Sequence, residues 1–170
     1  LNVLPVPDPK APEGASLAVI TGITRHNDTP GVARTERFRV VATAFQPESG
    51  QSVGSHEQVL DLRWTASDAG TGRFEVLSRL PLTPGRYEAR VGVEASDGQT
   101  GSVYGYAEIP DFRKDGLTLS GLVLNTTPAP RAATSDAFSD VIPFAPTAQR
   151  TFRRTDQVAI WLRLHRPKDA

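Results

Sequence analysis

The run Leu82-Thr83-Pro84-Gly85-Arg86-Tyr87-Glu88-Ala89-Arg90-Val91-Gly92-Val93-Glu94-Ala95 constrains the fold more than any other stretch of this chain. Pro84 fixes φ and Gly85 accepts positive φ, so the chain turns there. From Tyr87 the pattern has period two. Tyr87, Ala89, Val91, Val93 and Ala95 point one way; Arg86, Glu88, Arg90 and Glu94 point the other. That is a strand with one dry and one wet face. Asp97-Gly98 then suits a tight hairpin. Tyr87, just after a Pro-Gly corner, is in place for a tyrosine corner, in which its hydroxyl bonds back to the corner's backbone. A plain core tyrosine is the alternative.

The same alternation recurs along the chain. Residues 16–24 read as a strand of apolar and small residues, and residues 37–45 as one with Phe38, Val40, Ala42 and Ala44 on one face. In 56–65, Gln58, Leu60, Leu62 and Trp64 alternate with Val59, Asp61 and Arg63; in 73–80, Phe74, Val76, Ser78 and Leu80 share a side. Residues 100–109 set Val103, Gly105, Ala107 and Ile109 against Tyr104, Tyr106 and Glu108. Residues 117–124 and 156–164 complete the set; in the latter Val158, Ile160, Leu162 and Leu164 form the apolar side, and Ala159, Trp161 and Arg163 the wetter one. No amphipathic helix is evident. Short strands with turn signals about every ten residues predict an all-β fold: an Ig-like or fibronectin-III-like antiparallel β-sandwich of 7–8 strands.

The organisation follows from the same reading. Residues 1–15 carry Pro5, Pro7, Pro9 and Pro12 and are expected to form a linker or edge segment. The sandwich core occupies 16–124. Residues 125–156 lack a period but hold Phe138, Val141, Ile142, Phe144 and Phe152, so they are expected to lie across a sheet. Residues 157–170 hold the final strand and tail, which either closes the sandwich or begins a following domain. With no Met at position 1, the chain is expected to be a processed or excised piece of a longer protein.

The 19 basic and 19 acidic side chains balance, so no global field favours nucleic acid or anionic lipid. Without cysteine there is neither disulfide nor thiolate chemistry. No apolar run approaches the ~20 residues that span a bilayer. His26, His56 and His165 sit on different segments without metal-ligand spacing. No Gly-x-Ser-x-Gly elbow and no phosphate-cradling loop is present. Asp68, Asp97 and the Asp111/Asp115 pair are weak calcium candidates that turn chemistry explains better. The candidate binding residues are Tyr104 and Tyr106, on one face of their strand, Trp161, and the cluster Arg150, Arg153 and Arg154 beside Phe152. Exposed aromatics stack sugars or pack on a partner; cover by residues 125–156 is the simpler account of them, and a solvated loop the simpler account of the arginines.

A set of motifs, in order, carries a family resemblance: Leu80-Pro81-Leu82-Thr83-Pro84-Gly85-Arg86-Tyr87, Gly101-Ser102-Val103, Ile109-Pro110-Asp111-Phe112, Leu117-Thr118-Leu119-Ser120-Gly121-Leu122-Val123-Leu124 and Arg150-Thr151-Phe152-Arg153-Arg154-Thr155-Asp156. Over roughly residues 35–165 the chain resembles the region downstream of the von Willebrand factor A-type domain in VWFA-related proteins of Acidobacteria. The resemblance implies a secreted or envelope-associated protein. It brings no metal ligand, because the Asp-x-Ser-x-Ser run of the A-type domain is absent from this sequence. The expected function is therefore a non-catalytic spacer or protein-interaction module without cofactor, its partner another protein or neighbouring domains. A carbohydrate-binding sandwich is the alternative, and a hydrolase ranks last.

Overall fold

The computed structural model describes residues 1–166 apart from 69, 115 and 135. The calcium candidate Asp115, Ala69 within the turn after Asp68, and residues 167–170 of the expected tail lie outside the described residues. The strands are β1 (Asn2–Pro7), β2 (Ala15–Asn27), β3 (Arg34–Phe45), β4 (Ser52–Trp64), β5 (Gly70–Pro81) and β6 (Gly85–Ala95). They continue with β7 (Thr100–Ile109), β8 (Thr118–Leu119), β9 (Val123–Thr127), β10 (Arg131–Ala133), β11 (Gln157–Trp161) and β12 (Leu164–His165). The chain is all-β, with no helix among the described residues.

Two four-stranded sheets form the body, ordered β1-β2-β5-β10 and β4-β3-β6-β7. Neighbours are antiparallel except β10, which runs parallel to β5. The inner faces meet in one core. Leu17, Val19, Phe74, Val76 and Leu80 of the first sheet pack with Phe38, Val40, Leu62, Trp64, Tyr87 and Val91 of the second. Burying each such large apolar side chain is worth about 1.5–3 kcal/mol. Trp64 meets Phe74 edge-on across the sheets, with centroids 5.2 Å apart. A Cβ at Gly72 would stand 2.5 Å from the Trp64 ring, so that approach requires glycine.

The tyrosine corner is formed. Tyr87 Oη donates to Thr83 O at 2.8 Å and lies 2.9 Å from Thr83 Oγ1, with Gly85 at φ 152° between them. The β6–β7 hairpin follows, closed by Gly98 N donating to Ala95 O and Ala95 N to Gln99 O. As the alternation predicts, Tyr87, Ala89, Val91 and Ala95 are buried and Arg86, Arg90 and Glu94 exposed.

The Pro-rich start is an edge strand over Asn2–Pro7, and the backbone parity explains why prolines fit. Asp8 N donates to Gly14 O, so the even-numbered residues of β1 turn their backbone groups to β2. Pro5 and Pro7 face the outer edge, where no ladder donor is needed. Pro5 O accepts there from Gly121 N at 2.8 Å.

β5 departs from its one-sided pattern, because Glu75 and Leu77 are as buried as Phe74 and Val76. A second core lies on the outer face of the first sheet. There Leu4, Val6, Ala18, Ile20 and Leu77 pack with Val123, Phe138, Val141, Ile142 and Ala148. Glu75 is paired rather than stranded: it accepts from Thr147 Oγ1 at 2.8 Å, Ala148 N at 3.3 Å and Arg73 Nε at 3.3 Å. The expected strand 117–124 is broken. Its register against the C-terminal strands slips between Leu119↔Leu164 and Val123↔Trp161, leaving two short ribbons, β8–β12 and β9–β11.

Candidate interaction surfaces

The outer face of the second sheet is a lattice of cross-strand charges. Arg37 meets Asp61 at 2.8 Å, Arg39 meets Glu57 at 2.7 Å, and Arg86 meets Glu108 at 3.6 Å. Pairs this exposed are screened by water and chiefly keep the face wet. Tyr104 and Tyr106 stand at its β7 margin, 64 % and 65 % exposed. Their rings meet edge to face at 6.0 Å and 83°. Residues 125–156 do not cover them: the packed part of that segment lies on the other sheet. Beside them Arg90 stacks on Phe45, 4.5 Å from the ring centroid, and pairs with Glu88. Glu88, hydrogen-bonded to the Tyr106 hydroxyl, holds that phenol's pKa above its ordinary value.

The C-terminal ribbon reverses the facing expected for residues 156–164. Trp161, opposite Val123, packs against the second core instead of standing on the wetter side. Val158, Ile160, Leu162 and Leu164 are exposed by 42 %, 64 %, 48 % and 57 %. Leu119 stands across from Leu164, and Leu124 from Ile160; Leu117, Leu119 and Leu122 are also exposed. These seven large apolar side chains are exposed along one short stretch of ribbon. Alternation shows that two sides of a strand differ in polarity. It does not show which side meets the core, and here the bulky indole took the inward side.

The arginine cluster forms no joint site. Arg150, Arg153 and Arg154 are exposed; Arg150 Nη1 bonds Gln149 O, and Arg153 N donates to Asp156 in a tight turn. Phe152 beside them is half-buried. The three candidate turn carboxylates each have partners. Asp68 accepts from Thr65 N and Arg131, Asp97 from Gln99 N and Arg25, and Asp111 from Arg113 N. Arg131 and Thr65 N hold Asp68 down to about 2. The histidines occupy three separate strands, β2, β4 and β12.

A cleft of about 310 Å³ opens between the sheets, lined by Thr21, Ile23, Phe38, Val93 and Val103, with Arg25 the one ionisable side chain that lines it among the described residues. Arg25 is engaged by Glu36, Asp97 and Gln99. No His, Cys, Asp or Glu cluster fit to hold a metal occurs among the described residues, and no helix long and apolar enough to cross a membrane occurs among them. Comparison with known protein families and with curated proteins finds no match for this chain.

Proposed function

We propose that the chain is a non-catalytic module of a secreted or envelope-associated bacterial protein, of the VWFA-related kind, acting as a spacer that docks on protein. The observation that carries this reading is the apolar face of Val158, Ile160, Leu162 and Leu164 turned to solvent on an ordered ribbon. Exposed apolar side chains are a cost in water unless something covers them. An Ig-like or fibronectin-III-like architecture fits the strand order, with β1-β2-β5 facing β4-β3-β6-β7, and fits the tyrosine corner at the start of β6. A photoreactive residue in place of Ile160, within the native full-length protein, tests it. Adducts to an identified polypeptide at Ile160 but not at Val59, an exposed apolar residue of β4, are expected. Absence of polypeptide adducts at Ile160 contradicts it.

One observation favours a second reading. The exposed Tyr104–Tyr106 pair offers aromatic surface for a sugar ring, now without Trp161, which faces the second core. Glycan-array binding that disappears in Tyr104→Ala and Tyr106→Ala variants is its signature.

A further inference from the structure

β1 closes only part of the gap between the β2 and β7 edges of the two main sheets. It lies beside β2 from Asn2↔Ile20 to Pro7↔Ala15, while β2 runs on to Asn27. Past Ile20, no strand among the described residues pairs with that side of β2. The cleft of about 310 Å³ opens there, between residues 21–25 of β2 and residues 99–103 at the start of β7. Leu1, next in register opposite Thr21, stands at its near end and packs against the main core. Arg25 closes its far end by bonding Gln99 and Asp97 of the β6–β7 turn.

The open edge of β2 presents its backbone groups in a fixed order. Asp8 N donates to Gly14 O, so Ser16, Ala18 and Ile20 turn their N–H and C=O toward β1. Ala15 O accepts from Leu82 N on the other side of β2, which gives the same alternation. Gly22 and Thr24 therefore point their N–H and C=O outward, past the end of β1. Two glycines of β7 mark the same line. Both face inward, as their partners Ala89 and Val93 do. A Cβ at Gly105 would stand 3.3 Å from Leu1 and from Val3, so β1 already presses on β7 there. A Cβ at Gly101, toward the far end, would meet nothing within 4 Å. Val103 between them is left 39 % exposed.

We infer that this cleft is a strand-acceptor site, and that its occupant is the polypeptide leading into Leu1 in the full-length protein. Continuing the β1–β2 register, the residue before Leu1 lies opposite Gly22, the second before it opposite Ile23 and the third opposite Thr24. The first and third exchange backbone hydrogen bonds with Gly22 and Thr24, so neither is proline. The second points inward, into the space that Gly101 leaves and beside Val103, where an apolar side chain completes the core. β1 names the occupant, because its direction and register lead into the cleft. A joined segment arrives there without the loss of freedom that a separate peptide would suffer. This rests on one part of the proposed function, that the chain is a module of a longer protein. It does not rest on the C-terminal ribbon, with which the cleft shares no lining residue.

The test is amide hydrogen exchange in the full-length protein and in residues 1–170. The Gly22 and Thr24 amides should exchange freely in residues 1–170. In the full-length monomer they should exchange at least about a hundredfold more slowly, at a rate independent of concentration. Gly101→Phe sets a ring into the open space. It should leave the melting temperature of residues 1–170 no lower, and return both amides of the full-length protein to fast exchange. Slow exchange that survives Gly101→Phe overturns the placement, because the protecting group then lies elsewhere. Protection that grows with concentration or needs an added polypeptide overturns the upstream segment as occupant, and so does equal exchange in the two proteins. A native chain whose first residue is Leu1 removes the module reading and this occupant together.

Discussion

Tyr87 shows what a single side chain settles here. Its ring fills the core between the sheets, while its hydroxyl reaches back four residues to hold Thr83 O at 2.8 Å. Tyr87→Phe keeps the ring and loses the bond, so a destabilisation of about 1–2 kcal/mol is expected by urea unfolding. The neighbours Arg90 and Val91 separate the two faces of β6. Val91→Asp buries an unpaired charge among Phe38, Val40 and Ala89 and should prevent folding or cost more than about 4 kcal/mol. Arg90→Asp removes an exposed pair with Glu88 and a stacking contact with Phe45, and its melting temperature should stay close to that of the native chain. Equal melting temperatures of the two variants would refute the facing. At this scale the sequence was informative wherever one side of a strand meets the main core. It was silent on Glu75, whose charge reads as a wet-side residue. Its partners Thr147 and Ala148 lie more than seventy residues away, in a segment with no period to reveal them.

At the scale of elements, the six long strands β2–β7 were legible because β3–β7 alternate in polarity, β2 is a run of apolar and small residues, and turn residues bound them. The covering segment was not, because its apolar residues follow no repeat. Its position is held by charges that only the fold assembles. Asp140 accepts from Arg79 and pairs with Lys10, and Arg79 also holds Asp8, which accepts from Ser16. Lys10 and then Arg79 keep Asp140 down to about 2. Burial alone would raise the Asp8 carboxyl, but Arg79 and Ser16 outweigh it, leaving it lowered. Carboxylates depressed from 3.8 in the folded state stabilise it fully above the unfolded pKa, and that stabilisation disappears as pH falls through the folded value. Calorimetry should therefore show a melting temperature level between pH 7 and 5 and falling from about 4 toward 2. Asp140→Asn should melt lower at pH 7, with the difference from the native chain shrinking as the pH drops. A difference independent of pH would show that the Asp140 pairs do not hold the segment.

At the scale of the whole molecule, the account turns on a surface that alternation identified and placed on the wrong side. Val158, Ile160, Leu162 and Leu164 were visible as an apolar row, but the two sides of that strand compete for one inner core, and Trp161 occupies it. The row is left outside, next to an edge with open donors, and the proposed docking rests on that arrangement. Amide hydrogen exchange resolved by residue tests this most directly. Ala159 N–H, directed at Asn125 of β9, should be protected at every protein concentration. Val158 and Ile160 N–H, directed away from β9, should exchange freely in the isolated chain. If the Val158 and Ile160 amides are instead as protected as Ala159 in the isolated chain, the edge of the ribbon is already paired within the fold, and the open ribbon on which the docking proposal rests does not exist.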